Sequence, residues 1–169
     1  MTGSKALVPI IVGSRTDLKH AEAIAEGLKR FEIECEIRIA SAHKVPKYLL
    51  ELLEKYEAME RPKVYVTIAG RSNALSGMVD AQVTSPVIAC PPITEPFGTM
   101  DLVSSLSMPS GVAPAVIVSR SGAALLAAKI IALSDSDVRK ALAAFKAEIA
   151  AKVLSDDGEV SQSSRGETV

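Results

Sequence analysis

A hydroxyl, an imidazole and a cation lie close together in the segment containing Ser41, His43 and Lys44. The segment follows an alternating apolar run at residues 35–39 and precedes a helical pattern that begins at Pro46. Because an unperturbed imidazole titrates at about pH 6.5, His43 suits general acid or base catalysis near neutrality. The lysine and the serine can bind an anion. We therefore predict that this strand-to-helix turn serves a small anionic substrate.

Each of these residues also has a simpler interpretation. An isolated histidine is more often a surface residue or a hydrogen-bonded core residue, and an isolated lysine is usually solvated. His20, which the spacing places on the exposed side of the first helix, is expected to be such an ordinary residue. His43 differs from it because a strand's carboxyl end is where parallel α/β sheets bind ligands.

The elements that must position this turn alternate between strands and helices. Apolar runs predict five strands, at 6–12, 35–40, 64–68, 86–90 and 112–118. Helical spacing predicts helices from about 18 to 28, 46 to 59, 74 to 83, 122 to 133 and 136 to 154, with an irregular stretch at 93–108. Right-handed crossovers then predict a three-layer, doubly wound parallel α/β sheet of the flavodoxin-like type, with strand order 2-1-3-4-5 and a C-terminal helix.

Composition limits the classes of function. A net charge of −1 gives no basic surplus for nucleic acid, and 4% aromatic residues without tryptophan disfavour base stacking. Cys35 and Cys90 form no CxxC pair and are expected to be reduced. The sequence shows no signal peptide and no membrane-spanning run, so we predict a cytoplasmic protein with no membrane or nucleic-acid partner. Residues 1–154 are predicted to form a single catalytic domain and 155–169 a disordered tail.

A second turn, Gly13-Ser14-Arg15-Thr16-Asp17, follows the first strand. Free amides at a helix start and the Ser14 hydroxyl can hold a phosphate, while Asp17 can accept hydrogen bonds from ribose hydroxyls. The segment lacks the full dinucleotide and P-loop patterns. The alternative is that Ser14, Thr16 and Asp17 only cap the helix.

A third turn, Ala69-Gly70-Arg71-Ser72-Asn73, follows the third strand. Its small residues let backbone approach a ligand closely, and Arg71 adds a guanidinium at the predicted switch point between strands one and three. The alternative is a helix start capped by Ser72 and Asn73. The sequence contains no cluster with metal-ligand spacing.

Taken together, these turns resemble the motifs of the phosphoribosylaminoimidazole carboxylase family. The matching segments are Gly13-Ser14-x-x-Asp17, Ser41-Ala42-His43-Lys44, Ala69 to Met78, and Ser105-Leu106-x-Met108-Pro109-Ser110-Gly111. Each motif is weak alone, but four motifs in register over most of the chain are specific.

The family contains two classes of enzyme. Mutases, which move a carboxylate from N5 of N5-carboxyaminoimidazole ribonucleotide to ring carbon C4, typically carry SAHR and a GGAAHLPGM-like third turn. This chain instead has Lys44 in the arginine's place and Arg71-Ser72-Asn73-Ala74 within the third turn. It therefore resembles the class that adds carbon dioxide directly to aminoimidazole ribonucleotide.

The resemblance implies roles for individual residues. His43 would move the C4 proton, and Ser14 and Lys44 would hold the phosphate. Thr16 and Asp17 would bind the ribose. The base and carboxylate region would be lined by Ser41, Gly70, Arg71 and Ser72, and Met108 and Pro109 would pack on the ring. The resemblance also implies a homo-oligomer, an octamer or a tetramer, that uses no metal, biotin, ATP or other cofactor.

Two alternatives stay open at this stage. The first is the mutase, which shares the fold but uses a different substrate. The second is a non-catalytic flavodoxin-like domain that only binds a ribonucleotide. A phosphoacceptor receiver is disfavoured because Gly13-Ser14 and Gly70-Arg71 stand where that class needs acidic residues.

Overall fold

Five parallel strands form one sheet in the order β2-β1-β3-β4-β5, as the sequence predicts. The computed structural model describes residues 6–93 and 98–166. The predicted loose end at 1–5, part of the predicted irregular stretch (94–97) and the last residues of the predicted tail (167–169) lie outside the described residues. The strands are β1 (Leu7–Val12), β2 (Glu34–Ile39), β3 (Tyr65–Ile68), β4 (Val87–Ala89) and β5 (Ala115–Val116).

The helices lie on both sides of this sheet. Their bounds are α1 (Leu18–Lys29), α2 (Pro46–Glu57), α3 (Ala74–Asp80), α4 (Val103–Leu106), α5 (Arg120–Ile131) and α6 (Ser136–Gly166). One apolar cluster joins the sheet to α1, α5 and the start of α6, and a second joins the other face to α2 and α3. This is the three-layer arrangement that continuous apolar strands require, because β1, β3 and β4 are buried on both faces.

Proline and cap residues set several boundaries. Pro9 cannot donate a ladder hydrogen bond, and the β1–β3 ladder begins at the next residue, Ile10. Pro46 occupies the first turn of α2, where its missing amide costs nothing. Asp135 Oδ1 accepts hydrogen bonds from the amides of Asp137 and Val138 at 2.9 and 3.1 Å, and so caps α6.

Two regions differ from the prediction. Residues 99–106, predicted as irregular, form a 3₁₀ turn followed by the short helix α4. Residues 155–166, predicted as a disordered tail, continue α6 to Gly166. Serine, aspartate and glycine are weak helix formers, so composition suggested an end near Leu154. Once a helix is nucleated, however, each further residue adds a hydrogen bond.

The two helices α1 and α5 approach closely at Gly27. A Cβ added to Gly27 would lie 2.8 Å from the Cβ of Ala124, which is buried. This contact fixes α1 on α5, and with it the strand-to-helix turn at the start of α1.

We predict that Gly27→Ala lowers the free energy of unfolding by about 1–2 kcal/mol, because overpacking outweighs the helix-propensity gain of about 1 kcal/mol. Thermal or urea unfolding measures the change. The double variant Gly27→Ala/Ala124→Gly should recover much of the loss by restoring the space. Gly158→Ala is the matched control, since nothing lies within 4 Å of its added Cβ. A stabilised Gly27→Ala protein would contradict this account of the packing.

Candidate active site at the carboxyl ends of β1, β2 and β3

Backbone hydrogen bonds align the three turns that the sequence analysis selected. The amide of Ala40 donates to the carbonyl of Val12, and the amide of Gly13 donates to the carbonyl of Ile68, both at 2.9 Å. These bonds extend the ladders one residue past the ends of β1 and β2, and the carbonyl that accepts the second bond belongs to the last residue of β3. The turns that follow therefore start side by side at one edge of the sheet, beside the switch point between β1 and β3, where α1 and α3 leave to opposite faces.

The first turn gathers three of the predicted residues into one polar cluster. Ser14 Oγ forms a hydrogen bond with Thr16 Oγ1 and donates to Asp17 Oδ2 at 3.1 Å. Neither Ser14 nor Asp17 makes a side-chain hydrogen bond to a helix amide. Capping therefore does not explain these side chains.

The second turn exposes His43 and Lys44 to solvent. Ser41 closes this turn: its Oγ accepts from the amide of Lys44 at 3.3 Å, and its carbonyl accepts from the amide of Val45 at 3.0 Å. The Ser41 hydroxyl keeps its proton available for donation. The helix α2 starts immediately afterwards at Pro46, so the turn is short and well anchored.

The third turn contains a backbone conformation that is uncommon for its residue type. Arg71 has φ of +61°, in the left-handed region. A non-glycine residue held there costs about 1–3 kcal/mol and persists where surrounding contacts fix it. Asn73, which is buried, caps α3 by accepting a hydrogen bond from the amide of Ser76 at 3.1 Å.

Two serines of α4, Ser104 and Ser105, are hydrogen-bonded to this turn, and neither is among the predicted site residues. Ser104 Oγ accepts from the amide of Asn73 at 2.9 Å and donates to the carbonyl of Arg71 at 3.1 Å. Asn73 Nδ2 donates to the buried Ser105 Oγ at 2.8 Å. The Asn73 cap was expected from the sequence, but no sequence pattern pairs residues 73 and 104.

Met108 and Pro109 lie on the segment that follows α4. A Cβ added to Gly77 of α3 would lie 3.1 Å from Met108 Sδ, so the methionine packs directly on that helix. The amide of Ala113 donates to Asp80 Oδ2 at 2.7 Å and fastens the same segment further along α3. This segment is thereby joined to the third turn through α3.

The geometry defines a class of protein. It is a doubly wound α/β protein whose polar turns, bearing hydroxyls, a carboxylate, an imidazole and cations, meet at the topological switch point. Within residues 6–93 and 98–166, no three histidine, cysteine, aspartate or glutamate side chains are grouped to hold a metal ion. No helix in the same ranges is long and apolar enough to cross a membrane.

Comparison with known proteins identifies the family. The AIR carboxylase family model matches residues 7–152. A Treponema denticola protein named phosphoribosylaminoimidazole carboxylase is 47% identical over 156 residues, which are 92% of this chain and 98% of that protein. An Archaeoglobus fulgidus protein of the same name is 46% identical over 158 residues, 94% of this chain and 86% of that protein. The chain belongs to the AIR carboxylase family.

A solved structure and a third relative complete the comparison. The crystal structure of Treponema denticola PurE matches with a TM-score of 0.90 at 48% identity, over 92% of this chain and 98% of that one. A Methanocaldococcus jannaschii protein named N5-carboxyaminoimidazole ribonucleotide mutase is 37% identical over 158 residues, 92% of this chain and 98% of that protein. The resemblance to the family and the flavodoxin-like fold are thus confirmed.

A separate groove of 670 Å³ lies beside the carboxyl ends of β4 and β5, and its lining includes His20 and Arg120. His20, predicted as an ordinary exposed residue, is instead half-buried, with its Nε2 3.3 Å from Cys90 Sγ. Burial, followed by the charge of Arg120, lowers the pKa of His20, while Asp17 opposes the shift. Burial also raises the pKa of the Cys90 thiol to about 12, so this cysteine stays protonated.

The lowered pKa predicts a pH dependence of stability. The unfolded chain, in which histidine has its ordinary pKa of about 6.5, binds more protons than the folded protein, so stability falls as the pH drops below that value. We predict that the melting temperature falls less for His20→Gln than for the wild type when the pH is lowered from about 7 to about 5. Lys19→Gln, at the neighbouring exposed position, should keep the wild-type pH dependence. Equal losses in His20→Gln and wild type would refute the prediction.

Proposed function

We propose that this protein adds carbon dioxide to C4 of 5-aminoimidazole ribonucleotide and so forms 4-carboxy-5-aminoimidazole ribonucleotide, a step of purine biosynthesis, without ATP. The observation that carries the proposal is the alignment of three polar turns at one sheet edge in a chain of this family. The high identity to proteins named phosphoribosylaminoimidazole carboxylase supports the same conclusion.

The proposed chemistry needs little from the protein beyond orientation and a proton acceptor. The aminoimidazole is an electron-rich, enamine-like carbon nucleophile, and its C4 attacks carbon dioxide to form the new carbon–carbon bond. His43 then removes the C4 proton, and the electrons of the C–H bond return to the ring and restore aromaticity. Decarboxylation is the reverse sequence. Holding the two reactants together supplies much of the remaining rate enhancement.

We propose the following division of roles around the ribonucleotide. Ser14 and Lys44 hold the phosphate, and Thr16 and Asp17 hold the ribose. Ser41 and the third turn, Gly70 to Ser72, line the base and carboxylate region, with Met108 and Pro109 packing on the ring. The polar cluster at Ser14 and the anchored third turn support these assignments.

We further propose that residues 1–154 form the catalytic domain of a cytoplasmic homo-oligomer. Exposed apolar side chains beside the Met108 segment, at Met100, Val103 and Leu106, provide surface for contacts between subunits. Both cysteines are free, which suits a reducing compartment.

The decisive measurement is turnover without ATP on two substrates. We expect carboxylation of aminoimidazole ribonucleotide with dissolved carbon dioxide and no reaction with N5-carboxyaminoimidazole ribonucleotide. The opposite result would establish the mutase. Binding without any turnover would establish the non-catalytic domain.

His43→Asn is the matched variant for this assay. It should lower kcat by roughly 10²–10⁴-fold, the usual contribution of a positioned acid or base, while ribonucleotide affinity changes little. Lost affinity with unchanged kcat would place His43 in binding rather than in proton transfer.

The role of Lys44 gives a second prediction. Lys44→Ala should weaken binding of aminoimidazole ribonucleotide about tenfold, the effect of losing one charge-assisted hydrogen bond to the phosphate. The loss should shrink at high salt, because exposed charges are screened. Calorimetric titration measures both effects. Lys47→Ala, at an exposed lysine three residues further on, is the control and should bind like the wild type. Equal affinity of Lys44→Ala and the wild type would remove Lys44 from the phosphate site.

A further inference from the structure

One side chain from α4 anchors the backbone on both sides of Ser72. The Ser104 hydroxyl donates its single proton to the carbonyl of Arg71 at 3.1 Å and accepts from the amide of Asn73 at 2.9 Å. The two bonds use different parts of the hydroxyl and are therefore compatible. The turn is thus held by a residue 31 positions away from Asn73 in the chain.

The anchored turn would not hold its shape through residue preference alone. Arg71 has φ of +61°, which side chains other than glycine rarely adopt. Such a conformation persists when neighbouring contacts over-determine it. The two hydrogen bonds of Ser104 act directly on the residues that flank Ser72, and so oppose relaxation of Arg71 to an ordinary negative φ.

The segment that carries Ser104 is itself firmly attached to α3. Ser105, 1% exposed, accepts from Asn73 Nδ2, and Met108 packs on Gly77. The amide of Ala113 donates to Asp80 at the end of α3. Ser104 therefore projects from a segment that is attached to α3 at several further points.

We infer that Ser104 is a positioning residue for the substrate: it keeps the Gly70–Ser72 turn in its binding conformation and couples that turn to the Met108 segment. This inference rests on the proposed function, because that function places the turn against the base and carboxylate. A turn that populates its binding conformation only part of the time lowers apparent affinity by that fraction. Substrate at saturation restores the conformation, so the effect falls on KM more than on kcat.

The test compares four serine variants in steady-state carboxylation. Ser104→Ala should raise KM for aminoimidazole ribonucleotide about tenfold, the effect of losing hydrogen bonds of this kind, with kcat within a few-fold of the wild type. Ser104→Thr keeps the hydroxyl and should restore KM. Ser107→Ala, at an exposed position of the same segment, is the neutral control.

Ser105→Ala separates positioning from general stability. This variant leaves the buried side-chain amide of Asn73 without its acceptor, Ser105 Oγ. It should therefore lower the melting temperature at least as much as Ser104→Ala does, but raise KM less. A KM for Ser104→Ala equal to that of the wild type would overturn the inference. The inference would also be overturned if, across all four variants, KM rose in proportion to the loss of melting temperature, because general destabilisation would then explain the change in KM.

Amide hydrogen exchange at Asn73 keeps this test independent of the proposed reaction. Exchange should be slow in the wild type and in Ser104→Thr, and at least tenfold faster in Ser104→Ala, because the amide loses its acceptor. If the wild type shows no turnover, the proposed function fails, and unchanged exchange in Ser104→Ala would then overturn the positioning role as well. Turnover with unchanged KM and faster exchange would mean that Ser104 orders the turn without serving substrate binding, which also overturns it.

Discussion

The structure depends on the parallel ladders of β1, β2 and β3, which continue one residue beyond β1 and β2. The Ala40–Val12 and Gly13–Ile68 hydrogen bonds place three turns at one edge of the sheet within the same layer. Each turn alone is a short polar segment with an ordinary alternative role. Their common position brings a hydroxyl–carboxylate cluster, a histidine–lysine pair and an arginine turn to one edge of the sheet.

The two apolar clusters make that alignment rigid. Because β1 is paired on both sides and buried on both faces, its end cannot shift without disturbing α1, α5 and α2 together. The close approach of Gly27 to Ala124 fixes α1, and Pro46 starts α2 directly after the second turn. Core packing therefore fixes where each turn starts, and the hydrogen bonds of Ser104 hold the third turn in its conformation.

Much of the fold follows from local patterns in the sequence. Continuous apolar strands alternating with amphipathic helices predicted the sheet order, since right-handed crossovers leave few arrangements open. His43 could be selected because a strand end is recognisable from periodicity alone. The Ser104–Asn73 contact could not be predicted, because it joins positions with no periodic relation.

The burial of His20 could not be predicted from local patterns either. Helical spacing alone placed it on an exposed face, whereas the loops after β4 and β5 cover that face and bring Cys90 and Arg120 to it. Likewise, composition could not reveal that α6 continues to Gly166, because propensities describe single residues and helix continuation is cooperative. Contacts between segments that are distant in the chain cannot be predicted from local patterns in a single sequence.

Arg71 brings these points together. In the mutase-type motif that this turn resembles, small residues stand in place of Arg71 and Ser72, and glycine would adopt a φ of +61° without steric cost. This chain has arginine there, so its backbone is strained at Arg71, and a guanidinium lies near the switch point. Such strain persists only where other contacts fix the backbone, and Ser104 and Asn73 provide them. The backbone on both sides of Ser72 is thus held by a serine about thirty residues further along the sequence.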